Sequence, residues 1–176
     1  MRAAVLTVSD RAARGERSDA TGPLLTARLE ALGFEVSVVE PVADERDVIA
    51  ARLRALAETH ALVLTTGGTG LSPRDVTPEA TRDVVERLAP GFVEEIRRRG
   101  AEHFPNAILS RAVCGTLGSS LILNLPGSPK GALESLDFVA AMLKHGLNVL
   151  QGGVRDCKDD PSSGRTAHES GSEDVR

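Results

Sequence analysis

Apolar positions along the first 150 or so residues follow two alternating rhythms. Residues 3–8 form a short apolar run that ends at Ser9 and Asp10, and a polar loop then reaches Thr21, Gly22 and Pro23. Residues 24–32 have helical spacing and stop at Gly33, a favoured helix end. Residues 34–39 read as a second strand and residues 47–58 as a second helix. Residues 61–66 (ALVLTT) form a strand of the fully buried type that runs straight into glycines. Thr77 and Pro78 open another helix as N-cap and first-turn proline, and a further helix spans residues 91–102. Residues 112–116 and 121–125 read as strands. The last helix starts near Lys130 and carries Leu133, Leu136, Val139, Ala140, Leu143 and Leu147 on one face. Strands interleaved with helices predict βαβ crossovers. The fold class is therefore α/β: three layers, with a doubly wound, mostly parallel sheet and helices on both faces.

The rhythm stops near residue 155. The last 22 residues hold only three hydrophobic ones, Cys157, Ala167 and Val175, too few to offset chain entropy by burial. One domain over residues 1–154 and a disordered polar tail over 155–176 are expected, and 176 residues suit a single domain. The net charge of −4 argues against a general nucleic-acid binder, which needs a basic face. Four Phe, no Tyr and no Trp remove the base-stacking platforms of single-strand binders. Flat ligands are therefore expected to lie against aliphatic side chains and backbone. Cys114 and Cys157 form no CxxC pair, and His60, His103, His145 and His168 share no ligand spacing. The N-terminal run is too short and too soon charged for a signal peptide, and no apolar stretch reaches the length of a membrane span. A cytoplasmic protein without nucleic-acid or membrane partners is the expectation.

Ligands of open α/β sheets bind at the carboxyl edges of strands. Four unusual segments directly follow predicted strands: Ser9-Asp10-Arg11, Val42-Ala43-Asp44, the stretch 67–75, and the stretch 124–130. Each alone is an ordinary turn; on parallel strands they would converge on one crevice. In TTGGTGLSPRD, the glycines after a buried strand let backbone N–H groups approach an anion. No GK[ST] follows, so it is not a P-loop. Asp75 either caps the helix begun at Thr77 or, beside a phosphate cradle, holds Mg²⁺. Asn124-Leu-Pro-Gly-Ser-Pro-Lys130 leads from a strand into a helix N-terminus, which favours an anion. Lys130 is one of only three lysines against 18 arginines, so its place in this turn is worth weighing. Arg97-Arg98-Arg99 fan around a helix axis behind Glu94 and Glu95, and read as a solvated face.

TVSDR at 7–11, TTGGTG at 65–70 with RDVTPEAT at 74–81, AILSR at 107–111 and NLPGSPKG at 124–131 together resemble the MogA/MoaB family of molybdenum-cofactor biosynthesis proteins. The similarity runs over residues 1–152. The resemblance implies the molybdopterin-binding fold, a homotrimer, and transfer of AMP from Mg²⁺-ATP to the terminal phosphate of molybdopterin, with the product handed to the molybdenum-insertion protein. It places Asp44 and Asp75 as catalytic, metal-associated acids. Thr66, Gly67, Gly68, Thr69, Gly70, Ser110, Asn124, Pro126, Gly127, Ser128 and Lys130 fall on the family's substrate-binding segments. Ser9 and Asp10 fall on its first binding loop, with Asp19 and Gly22 at that loop's polar end. Two other readings compete: a non-catalytic pterin carrier of the MoaB type, and a hydrolase like the competence-damage-associated proteins, whose glycine loop is followed by a different, more acidic pattern.

Overall fold

Three strands are apolar on both faces, and they become the centre of the sheet. β1 (Arg2–Val8), β3 (Leu62–Thr66) and β6 (Ser120–Leu125) are buried at every position except Arg2. The computed structural model describes residues 1–153, so the expected polar tail, and the domain boundary before it, lie outside the described residues. β2 (Glu35–Val42) alternates exposed and half-buried positions and forms one edge. It runs three residues past the expected 34–39, through Pro41, because an edge strand tolerates a residue that cannot donate to the ladder. The six-stranded order is β2-β1-β3-β6-β5-β4. β2, β1, β3 and β6 are mutually parallel.

Two strands complete the other edge. β5 (Cys114–Leu117) returns antiparallel to β6 through a tight turn at Gly118, whose φ is +55°. The run read as a strand over 112–116 thus pairs only from Cys114 onward. β4 (Arg87–Leu88) pairs antiparallel with β5 and is only two residues long, too short for any periodicity to announce it. The same brevity hid α1 (Asp10–Ala13) and a 3-10 turn at Pro105–Leu109.

α2 (Gly22–Ala31), α5 (Pro90–His103) and α6 (Pro129–Leu150) cover one face of the sheet, with Leu25, Leu29, Ile96, Leu136 and Leu143 on Val5, Leu64 and Leu123. α3 (Arg46–Ala57) and α4 (Thr77–Arg82) cover the other, with Ile49, Leu53 and Ala80 on Leu6, Val63 and Ile122. The chain leaves β1 toward one edge and β3 toward the other. Pairing of Val8 with Val42, Thr7 with Thr66, and Thr66 with Leu125 brings the carboxyl ends of all four parallel strands to one rim.

Beneath that rim Asn124 is fully buried. Its Nδ2 donates to Thr65 Oγ1 and Thr81 Oγ1, each at 2.9 Å, and its Oδ1 accepts from the Val113 amide at 3.0 Å. Both amide protons are engaged, so the side chain ties α4 and the approach to β5 onto β3. Asn124→Ala strands a buried backbone donor and two hydroxyls, and is expected to cost about 3 kcal/mol in urea unfolding at unchanged m-value. A loss below about 1 kcal/mol would show the network to be dispensable.

Candidate functional site

The rim is organised by the glycine loop after β3. Gly67 has φ +100°, and a Cβ there would lie 2.4 Å from the Val8 carbonyl oxygen. Its N–H donates to Leu125 O at 3.2 Å, extending the β3–β6 ladder by one bond. The next carbonyls are all held by protein donors. Gly67 O accepts from Thr77 Oγ1 at 2.9 Å and Gly68 O from the Thr77 amide at 3.1 Å. Thr69 O accepts from the Arg111 amide at 2.9 Å and Gly70 O from Arg111 Nε at 2.7 Å. The peptides are trans, so each following N–H points away from the group holding its carbonyl. The amides of Gly68, Thr69, Gly70 and Leu71 accordingly donate to no protein acceptor among the described residues. The expected 67–70 cradle is therefore shifted by one residue, because the first glycine amide belongs to the sheet.

Two carboxylates flank this loop. Asp44 follows β2, and its amide donates to Asp10 Oδ1 at 3.0 Å while the Asp10 amide donates to Asp44 Oδ2 at 3.1 Å. This reciprocal clasp joins the loops after β1 and β2; Ser9 caps α1 beside it, and Arg74 pairs with Asp10. Asp44 Oδ1 lies 3.1 Å from where a Cβ on Gly68 would stand. Asp75 Oδ2 accepts from the Ser72 amide at 2.9 Å and lies 2.8 Å from the Cβ position of Gly70. Asp44 Oδ1 and Asp75 Oδ1 have no hydrogen-bond donor among the described residues. Among those residues, no group of three or more His, Cys, Asp or Glu is arranged to hold a metal. A cation here would rest on these two acids and on oxygens brought by a ligand.

The pKa values of the two clasped acids are shifted in opposite directions. Partial burial pushes the Asp44 carboxyl up, and the neighbouring charges of Asp10 and Asp75 add to this. The Asp44 amide, and then the Arg74 guanidinium, hold Asp10 below the usual range. A cation ligand must be ionised, so acidification disarms Asp44 first, at a higher pH than an ordinary aspartate. In a carboxyl carbon-13 NMR titration Asp44 is expected to protonate before Asp10 as the pH falls; the reverse order would contradict this assignment.

The remaining predicted residues divide into scaffold and surface. Thr66 Oγ1 donates to Pro126 O at 2.6 Å, and a Cβ on Gly127 would lie 3.1 Å from Gly67 Cα, so the two glycine turns pack directly on each other. Asp19 Oδ1 accepts from the Thr21 and Gly22 amides at 2.9 Å each, and its Oδ2 accepts from Thr7 Oγ1 at 2.7 Å. Ser128 caps α6 through Gly131 N. Asn124 lies under the rim, as described, and does not face it. The Lys130 side chain is 87% exposed, with Glu134 at 3.7 Å.

Cavities open on both sides of the packed turns. One of about 230 Å³ is polar, with Thr7, Ser9, Asp19, Thr21 and Thr66 on its wall. The other, about 240 Å³, joins Thr69, Gly70, Ser110 and Ser128 to Ile96, Phe104 and Phe138. Two of the four phenylalanines, Phe104 and Phe138, line the second cavity. The buried Cys114 thiol, pushed up to about 12 by desolvation, is no nucleophile.

Arg111 was not singled out by spacing or composition. Besides Gly70 O, its guanidinium donates to Asp75 O at 2.6 Å and pairs with Glu79, so one side chain braces both the cradle and the second acid. Only its position after Ser110 could have hinted at this, since the braced partners lie 36 to 41 residues earlier.

A family model described as "Probable molybdopterin binding domain" matches residues 4–145. The chain is 44% identical over 154 residues to the "Molybdopterin adenylyltransferase" of Haemophilus influenzae, covering 85% of this chain and 77% of that protein. It is 39% identical to the "Molybdenum cofactor synthesis protein cinnamon" of Drosophila melanogaster and spans 25% of that protein's length. Among solved structures, a molybdopterin biosynthesis enzyme MoaB from Thermus thermophilus superimposes with a TM-score of 0.81 at 49% identity, covering 86% of this chain and 96% of that one.

Proposed function

The chain belongs to the family of probable molybdopterin binding domains, and from that premise we propose that it is a molybdopterin adenylyltransferase of molybdenum cofactor biosynthesis. In this reading it moves AMP from ATP to the terminal phosphate of molybdopterin and releases pyrophosphate. The observation that carries the reading is the juxtaposition of the amides of Gly68 to Leu71, which have no acceptor among the described residues, with Asp44 and Asp75, each keeping one oxygen without a donor among them.

The chemistry asks little covalent help of the protein. An oxygen of the molybdopterin phosphate attacks the α-phosphorus of ATP, a new P–O bond forms, and the bond to the β-phosphate oxygen breaks. A phosphate monoester is already largely dianionic near pH 7, so no general base is required. Acids and backbone amides around the loop, Asp44, Asp75 and the amides of Gly68 to Leu71, suit such a reaction. What remains is alignment of two anions and neutralisation of their charge. The amides of Gly68 to Leu71 bind phosphate oxygens, and Arg111 keeps their peptides turned outward. The Asp10–Asp44 clasp fixes Asp44 against Gly68, and Ser72 with Arg111 fixes Asp75. The donor set fits Mg²⁺, which takes one or two carboxylates plus substrate phosphates. When bound between Asp44, Asp75 and the ATP phosphates, it would offset the negative charge that builds on the departing pyrophosphate.

The same reading makes the protein a cytoplasmic homotrimer that passes its product to the molybdenum-insertion protein. Among the described residues no helix is long and apolar enough to cross a membrane. A non-catalytic pterin carrier would have no use for paired acids beside the cradle. Isothermal titration separates the two: the enzyme binds molybdopterin and gives further sustained heat when Mg²⁺-ATP is added. A carrier binds molybdopterin and is indifferent to Mg²⁺-ATP.

A further inference from the structure

We propose that a cavity on the far side of Arg111 is a second anion site, built for a phosphate group and separate from the glycine loop. The cavity, of about 280 Å³, lies between the end of α4, β4, α5 and the approach to β5. Three of its lining residues are Arg82, Arg97 and Arg111, and among the described residues no carboxylate lines it. In a chain of net charge −4, such a concentration of positive charge is a local reversal.

The state of each guanidinium carries the argument. Arg82, the last residue of α4, is exposed, and its side chain makes no hydrogen bond or ion pair among the described residues. Arg97 was expected on a solvated face; that holds for Arg98, which pairs with Glu95 and Glu102, but Arg97 turns to the cavity. There, among the described residues, its guanidinium meets only the neutral carbonyls of Ser110 and Ala112, at 3.3 and 3.4 Å. Arg111 alone has a counter-ion, Glu79. Of the other described arginines, seven have a carboxylate within 4.0 Å (Arg14, Arg28, Arg46, Arg52, Arg74, Arg98 and Arg99) and five do not, but those five do not line this cavity. Among the described residues, two of the three charges around this cavity are therefore without a counter-ion. Its other walls, among them Leu88, Val93 and Val113, are apolar and lower the local dielectric, which strengthens attraction for an anion. Planar guanidinium forks match tetrahedral oxyanions. The volume exceeds that of one phosphate ion, so a free phosphate and the phosphate of a small monoester share the chemistry the site recognises.

The inference does not depend on the proposed enzymatic reaction, because it is read from binding alone. The full chain, labelled with nitrogen-15, is titrated at constant ionic strength with inorganic phosphate and, in a parallel arm, with glycerol 3-phosphate. Saturable amide shifts are expected at Val93, Arg97, Ala112, Val113 and Cys114, with Kd of about 1 mM. Arg82→Met should weaken these shifts about fivefold or more while leaving any shifts at residues 68–71 unchanged. The Arg82 side chain makes no hydrogen bond or ion pair among the described residues, so the fold is expected to survive Arg82→Met, as an unchanged melting temperature and spectrum would verify. Tighter binding of the monoester identifies it as the favoured source, and equal binding identifies free phosphate. Shifts confined to residues 68–71, or equal affinities in the parent, Arg82→Met and Arg97→Met proteins, would overturn the proposal.

Discussion

Asp44→Asn and Asp75→Asn should each lower the rate of pyrophosphate release on the order of a hundredfold or more, the usual scale for losing preorganised charge at a transition state. The substitution removes one negative charge and leaves shape intact. Asp44 Oδ2 would still accept from the Asp10 amide, and an Asp75→Asn side-chain carbonyl would still accept from Ser72 N. The loop conformation is then retained, and the loss falls on turnover rather than on folding or molybdopterin affinity. Magnesium dependence should move as well, with each variant needing more Mg²⁺ to reach half its residual rate. The partial burial of Asp44 adds a second reason: a neutral amide is easier to bury there than a carboxylate, so Asp44→Asn should be no less stable than the parent. Near-normal release from both variants would remove these acids from the mechanism.

Gly68→Ala carries the second large effect, through geometry rather than charge. At φ +61° an L-residue is tolerated at a cost of roughly 1–3 kcal/mol. The new methyl, however, would stand 2.4 Å from Thr77 Oγ1 and 3.1 Å from Asp44 Oδ1. Thr77 Oγ1 holds the Gly67 carbonyl, so its displacement frees the peptide that aims the first of the unbonded amides. Asp44 is pushed aside at the same time. Turnover should fall about a hundredfold or more, with a folded circular-dichroism spectrum and weakened protection by pyrophosphate in thermal melts. Gly67→Ala is the contrasting case. Its methyl would meet the Val8 backbone oxygen at 2.4 Å at φ +100°, and that strand cannot yield, so this variant should lose the fold rather than only the activity. A Gly68→Ala protein within threefold of the parent rate would mean that the loop binds no reacting phosphate.

What was readable from the sequence, and what was not, divides by range. β1, β3 and β6 announce themselves as largely apolar runs because burial on both faces leaves little polar alternation. The convergence of Ser9, Asp44, Gly67 and Pro126 at one rim followed from parallel order alone. The shift of the cradle from 67–70 to 68–71 could not be read, since it depends on β3–β6 register and on one amide pairing with Leu125. The burial of Asn124 was equally hidden. Position at a strand end does not say which face a side chain takes, and its partners lie up to 59 residues away. β4 and α1 are too short to show a period, and Arg111 acts on a loop that precedes it by four strand and helix elements.

The central claim, adenylyl transfer at the glycine loop, is tested most directly by label transfer. Purified protein is incubated with molybdopterin, Mg²⁺ and ATP radiolabelled at the α-phosphorus, and the products are separated. Label is expected in an adenylylated molybdopterin, with one pyrophosphate released for each, and both should be lost in Asp75→Asn. Binding of molybdopterin with all label remaining in ATP would contradict the claim.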